Sequence, residues 1–267
     1  MPRLLSLAHL SVLECTPPQV VACAAAAGFD AVGLRLSPAR PSEACHPIIG
    51  NAAMRRETLS RLADGGVAVL DVEVIWLQSD MDLSAHDSMF ETAACLGARR
   101  VIATCADPDE GRVADHVALL CDRASPFGLS IDLEFIRWTE LRSLAAALRV
   151  IGLASRDNLG VLVDCLHAAR AGVTATEISS VDRSRIGYFQ LCDAPRDPPL
   201  DGDFAHEARF DRLPPGGGGL PLRAMVAALP PGVPCSVETP MAGELGAMAP
   251  LERARLLFDA TRRVLGT

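Results

Sequence analysis

Eight short apolar runs alternate with longer, more polar stretches along the 267 residues, and this alternation limits the fold more than any other feature. Short apolar runs bounded by Gly and Pro read as buried strands of a parallel sheet. They are expected at residues 4–12, 31–36, 67–74, 100–104, 129–134, 161–164, 186–192 and 235–238. Between them lie segments with helix start and stop signals. Pro17-Pro18 opens a helix that ends at Gly28, and Gly65-Gly66 breaks the helix expected over 51–64. Pro is tolerated in a first turn, and Gly favours the residue after the last. Further helices are expected over 84–96, 109–125, 221–229 and 250–265, with one capped by Thr139 and running to 153. The helix after strand six is poorly marked until Thr176. This order, at a length near the ~250 residues typical of the fold, predicts an α/β chain forming one (β/α)8 TIM barrel over residues 1–267. A doubly wound open sheet would usually show a Gly-rich turn after strand one, and none is present.

Composition narrows the function. The net charge is −8 with no basic cluster, which argues against nucleic acid as a partner. None of the nine cysteines forms a CxxC pair, and the odd count argues against a complete disulfide framework; small buried thiols of a reduced cytosol explain them best. The opening stretch resembles a short signal peptide, but Glu14 before Cys15 spoils a lipoprotein cleavage site and no small-residue cleavage box follows, so strand one is the better reading. No apolar run reaches the length of a membrane span. A cytoplasmic protein is expected, and a homodimer is compatible with it.

Four strands in succession, five to eight, carry an acid or amide at or near their carboxyl ends: Glu134, Asp164, Gln190 and Glu238. In a parallel barrel the carboxyl ends of the strands converge on the active face. Three carboxylates and an amide oxygen meeting there would repel one another unless a cation sat between them. Hard oxygen donors select Mg²⁺ or Mn²⁺, and sites without imidazole also take Co²⁺.

Several stretches resemble the xylose-isomerase-like barrel superfamily: Leu133-Glu134-Phe135-Ile136, Asp164-Cys165-Leu166-His167, Gln190 to Pro195, Val237-Glu238, and Ala26 to Val32 after helix one. That superfamily contains sugar and sugar-phosphate isomerases and epimerases, inosose dehydratases and 3-dehydroshikimate dehydratases. The resemblance implies a divalent metal on Glu134, Asp164, Gln190 and Glu238. Gln190 departs from the pattern, which usually has His there. A neutral amide oxygen tilts the site towards Mg²⁺ or Mn²⁺ and away from Zn²⁺, and Gln at this point resembles some dehydroshikimate dehydratases.

The resemblance also implies that His167 contacts substrate oxygens; the alternative is a capping or surface histidine. His206 and Arg209 lie in a long stretch, residues 193–219, rich in Pro, Gly and charge. Such a stretch leaving a strand's carboxyl end reads as a lid or substrate loop, and the two side chains either close over the substrate or belong to a mobile surface. Glu73 either binds substrate hydroxyls or pairs with Arg35. His9 either reaches the pocket or is a buried barrel histidine. The tract Gly216 to Gly219 reads as a hinge or, more weakly, as a phosphate cradle.

The reading is a metal-dependent isomerase or epimerase of a carbohydrate-like small molecule, with Glu134 and Glu238 removing and returning a proton beside a carbonyl. The alternatives are a dehydratase, with His167 as acid, and a non-catalytic metal-binding barrel. An apurinic endonuclease would need more His ligands and a basic face, and a metal-free phosphosugar barrel would need a phosphate site where Gln190 and Glu238 stand.

Overall fold

The computed structural model describes residues 3–39, 43 and 46–266. Eight parallel strands close into a barrel in sequence order. They are β1 (Leu5–Leu7), β2 (Ala31–Arg35), β3 (Ala68–Leu77), β4 (Arg100–Cys105), β5 (Ser130–Glu134), β6 (Leu159–Asp164), β7 (Ile186–Leu191) and β8 (Cys235–Val237). β8 returns to β1 with Ser6 opposite Ser236, so no edge is left exposed.

Around the barrel run α1 (Pro17–Ala27), α2 (Ala52–Gly65), α3 (Asp87–Cys95), α4 (Glu110–Ala124), α5 (Leu144–Ala154), α6 (Cys165–Arg170), α7 (Ala175–Ser180), α8 (Phe204–Phe210), α9 (Leu222–Ala228), α10 (Gly243–Ala247) and α11 (Pro250–Leu265). Val, Leu and Ala on the strands' outer faces pack under the helices in one large core. Fully buried members such as Phe90, Leu120 and Phe135 each contribute about 1.5–3 kcal/mol. All eight described cysteines are free. No described helix is long and apolar enough to cross a membrane.

Several boundaries differ from the sequence expectation, each for a local reason. β1 stops at Leu7 and the chain turns into a 3-10 segment, His9–Val12. Side chains there take over the backbone groups. His9 Nδ1 accepts from Arg35 N at 2.9 Å, while Ser11 Oγ donates to Val237 O at 2.9 Å and accepts from Thr239 N at 2.8 Å. β3 instead runs three residues past the expected end, because Ile75 and Leu77 still pair with Ala103 and Cys105 of β4. Ser143, not Thr139, caps α5; the Thr139 hydroxyl donates to Ile136 O in the preceding turn. After β6 come two short helices, the second opened by a Thr174–Glu177 capping box. Residues 40–42 and 44–45, between β2 and α2, lie outside the described residues.

The barrel interior below the mouth is unusually polar. Asp71 and Asp132 are buried there, and the chain makes room with glycines: a Cβ on Gly33 would come within 2.8 Å of Asp71 Oδ1. A side chain on Gly187 would overlap the Asp132 carboxylate, which is held by Arg100 at 2.8 Å.

Candidate active site

The strand ends deliver the predicted side chains to one place. Glu134 ends β5, Asp164 ends β6, Gln190 stands one residue before the end of β7, and Glu238 follows β8 directly. All four are buried. Asp164 also caps α6, its Oδ1 accepting from His167 N at 2.9 Å. That turn brings the His167 ring back over the mouth, where its Nε2 lies 3.7 Å from Glu134 Oε1. Glu134, Asp164 and His167 offer donor atoms all within 4.8 Å of one another. Gln190 Nε2 donates to Glu238 Oε1 at 3.0 Å, and Gln190 Oε1 is buried with no partner.

Arg212, absent from the sequence reading, is the residue that organises this group. Its guanidinium is buried between two acids, Nη1 at 2.6 Å from Asp164 Oδ2 and Nη2 at 3.0 Å from Glu238 Oε2. Nε donates to Ala208 O at 2.7 Å, which ties the arginine to the last turn of α8. The sequence held one usable signal. Three converging carboxylates call for a cation, and the stretch leaving strand seven carries several arginines; Arg209 stood closest to the expected site, three residues too early.

One guanidinium against the three carboxylates Glu134, Asp164 and Glu238 leaves two negative charges unbalanced. The effect shows in the acid strengths. Burial, then the charges of Glu238 and Asp164, push the Glu134 carboxyl well above the usual range. Burial, partly offset by Arg212, pushes Glu238 up to about 7. Asp164 goes the other way: burial is outweighed by Arg212, His167 and the hydrogen bond from His167 N, and the group is lowered. Burial lowers His167 to about 4, so its ring is neutral. A divalent cation would supply the missing charge: Glu134, Asp164 and His167 bring donor atoms within 4.8 Å of one another, with Glu238 and the partnerless Gln190 oxygen beside them. The residues present fit such an ion.

The other wall is built on Glu73. One of its oxygens is held by Arg35, which also bonds Glu43 at 2.7 Å, while Glu73 Oε1 is buried without a partner. Of the two expectations for Glu73 the geometry shows the pair with Arg35, and Glu73 is also a lining residue of the pocket. The pocket is lined by Glu73, Glu134, Glu238, His167, Arg209 and Arg212 among others. Trp76 and Trp138, the only tryptophans of the chain, stand at its mouth. Trp138 meets His167 edge-on with ring centroids 5.0 Å apart, and the Arg209 guanidinium lies 5.9 Å from the Trp138 ring centroid.

Three expectations need correction. His206 is not part of this group: more than half exposed, it pairs with Asp211 at 3.1 Å and lines a separate surface cleft. The stretch 193–219 is no free lid, since α8 lies within it, pinned by the buried Arg170–Glu207 ion pair at 2.5 Å and by Arg170 Nη2 to Pro195 O at 2.8 Å. The glycine tract cradles no phosphate. Gly216 N and Leu220 N, both at 3.0 Å, donate to the Asp193 carboxylate, which fills the place an anion would take. His9 is a buried barrel histidine held by Arg35 N and Cys15 O.

Fold and donor cluster together define a (β/α)8 barrel with an acidic centre at its carboxyl-end mouth. The xylose isomerase-like TIM barrel family model matches residues 21–261, and the chain belongs to that family. It is 27% identical over 157 residues to the inosose isomerase of Bacillus subtilis (strain 168), covering 55% of each chain. The match thus spans about half the length of that curated relative. It is 28% identical over 116 residues to the 3-dehydroshikimate dehydratase of Pseudomonas aeruginosa, covering 43% of this chain and 18% of that one. In fold it is similar to a solved IOLI protein with a bound zinc atom, with a TM-score of 0.81, 20% identity and 98% of both chains covered.

Proposed function

We propose that this protein is a divalent-metal-dependent isomerase or epimerase that moves a proton at the carbon beside a carbonyl of a carbohydrate-like substrate. The observation that carries this reading is the buried cluster of Glu134, Asp164, Gln190 and Glu238, two charges short of balance with only Arg212 inside it. The inosose isomerase likeness and the zinc atom of the IOLI protein support it. The Gln190 oxygen in place of imidazole favours Mg²⁺ or Mn²⁺, with Co²⁺ and Zn²⁺ still compatible.

Glu134, Asp164, Gln190 and Glu238 would hold the ion, which when bound supplies Lewis-acid polarisation of the carbonyl. The proton chemistry belongs to the protein. Glu134 and Glu238 come from strands five and eight and both line the pocket. A carboxylate that gives one oxygen to a cation can use the other for a proton; in Glu238 Oε1 accepts from Gln190 and Oε2 pairs with Arg212, so proton transfer there requires one of these contacts to open. In the metal-free protein burial pushes Glu238 up to about 7, so it is the carboxylate of this group that exchanges a proton most readily near neutral pH. Arg212 lines the same pocket and stabilises negative charge that develops on a substrate oxygen. His167, neutral and partnerless at Nδ1, positions a substrate hydroxyl through hydrogen bonds.

The test is to incubate the metal-loaded protein in deuterated water with ketoses, inososes and 3-dehydroshikimate, following C–H signals by NMR. The expected result is metal-dependent loss of the proton beside the carbonyl in a ketose or inosose, with every hydroxyl retained. Water loss from 3-dehydroshikimate alone would instead assign the protein to the dehydratases.

A further inference from the structure

The pocket continues beyond the reacting group. Val74, Trp76 and Arg209 also line a second, more open cleft, which carries Ser37, Gln78 and His86 as well. The two compartments differ in chemistry. The inner one is lined by Glu73, Glu134 and Glu238 together with Arg35 and Arg212. The outer one has no carboxylate among its described lining residues, although the chain as a whole is strongly acidic. A hydroxyl, a carboxamide and an imidazole face an indole there. Burial lowers the His86 pKa, so that ring too is neutral.

Trp76 sits at the junction of the two spaces, and its indole Nε1 is buried with no hydrogen-bond partner. Apart from the Arg209 guanidinium, which lies 5.9 Å from the Trp138 ring centroid, the described lining is a neutral set of donors and acceptors beside an aromatic surface, and such a set suits the hydroxyls and the apolar face of a sugar ring.

We infer that the substrate has two sugar units: a ketose that reacts between Glu134 and Glu238, and a second, uncharged sugar unit seated in the outer cleft against Trp76. The inference rests on the proton-transfer reading and deepens it, because it names a glycosylated ketose where that reading leaves any carbohydrate open.

The test compares solvent-deuterium exchange for free ketoses, D-fructose and D-tagatose, with that for glycosylated ketoses, lactulose and isomaltulose, on the metal-loaded protein. The expected result is a kcat/KM for a glycosylated ketose at least about tenfold above that for the free sugars, carried mainly by KM. The ratio should collapse towards one in Trp76→Ala, recover in Trp76→Phe, and fall in His86→Ala. Circular dichroism and unfolding curves confirm that each variant is folded. Equal kcat/KM for free and glycosylated ketoses, or a ratio untouched by Trp76→Ala and His86→Ala, overturns the two-unit substrate and leaves proton transfer standing. Absence of exchange from all four sugars overturns the proton-transfer reading as well.

Discussion

The Arg212 guanidinium lies 2.6 Å from Asp164 Oδ2 and 3.0 Å from Glu238 Oε2, so a single buried cation joins the end of strand six to the end of strand eight. The same arginine reaches Ala208 O in α8. The acidic centre and the helix above it are thereby one mechanical unit. Removing the arginine leaves two carboxylates buried without their partner.

Arg212→Met should therefore lower the stability of the metal-free protein by about 3–5 kcal/mol, the usual cost of breaking a buried pair on one side. Urea unfolding measures it. Added Mn²⁺ should recover a larger share of stability in the variant than in the parent, because the ion then answers all three carboxylates. A variant as stable as the parent without metal would mean that Arg212 does not balance this charge.

Gln190→His should keep the fold and move metal preference towards Zn²⁺ or Co²⁺, since imidazole is the softer donor. Competition titrations of parent and variant against Mn²⁺ read the shift directly. Unchanged selectivity would remove Gln190 from the ligand set.

Asp193 accepts hydrogen bonds from the amides of Ala194, Gly216 and Leu220. Hydrogen bonds to a charged group contribute about 1.5–3 kcal/mol each and are not additive, so Asp193→Ala should cost about 2–4 kcal/mol. The denaturation midpoint should fall without a change in slope. A glycine tract that served only as a hinge would tolerate the substitution.

How far the chain could be read in advance depended on whether a feature is local. The barrel was legible because parallel strands buried on both sides are continuous apolar runs, and α11 begins and ends where Pro250 and Gly266 indicate. The four strand-end donors were legible for the same reason: each closes a run. α8 was not, because seven residues capped by Asp203 carry too little apolar periodicity to stand out in a stretch full of Pro and Gly. Arg212 was not, since its burial is decided by acids 48 and 26 residues away. His206 misled because a histidine next to a substrate loop looks like a ligand until the helix that carries it fixes which way it faces.

His9 ties acid stability to the barrel mouth. Its Nδ1 accepts from Arg35 N, and its Nε2 sits 2.9 Å from Cys15 O, the pattern of a neutral ring with the proton on Nε2. Burial lowers its pKa from 6.5 to about 4 in the folded state. The unfolded chain therefore binds the proton first as pH falls. The neutral ring's contribution is complete above about pH 6.5 and is lost on the way down to about pH 4, worth about 3 kcal/mol. In His9→Gln that part of the acid loss should disappear, seen as a shallower dependence of unfolding free energy on pH between those limits. Parallel curves for parent and variant would show that His9 does not set this dependence.

The most direct test of the proposed chemistry is the rate at which metal-loaded Glu238→Gln exchanges the proton beside a ketose or inosose carbonyl with deuterated water, measured beside the parent protein. Metal content is determined for both samples, because the amide keeps an oxygen for the ion but no longer accepts a proton. An acid–base group of this kind contributes roughly 10²- to 10⁴-fold. The account predicts a loss of that size with metal still bound. Near-parental exchange in the metal-loaded variant would contradict it and leave Glu238 as a structural ligand.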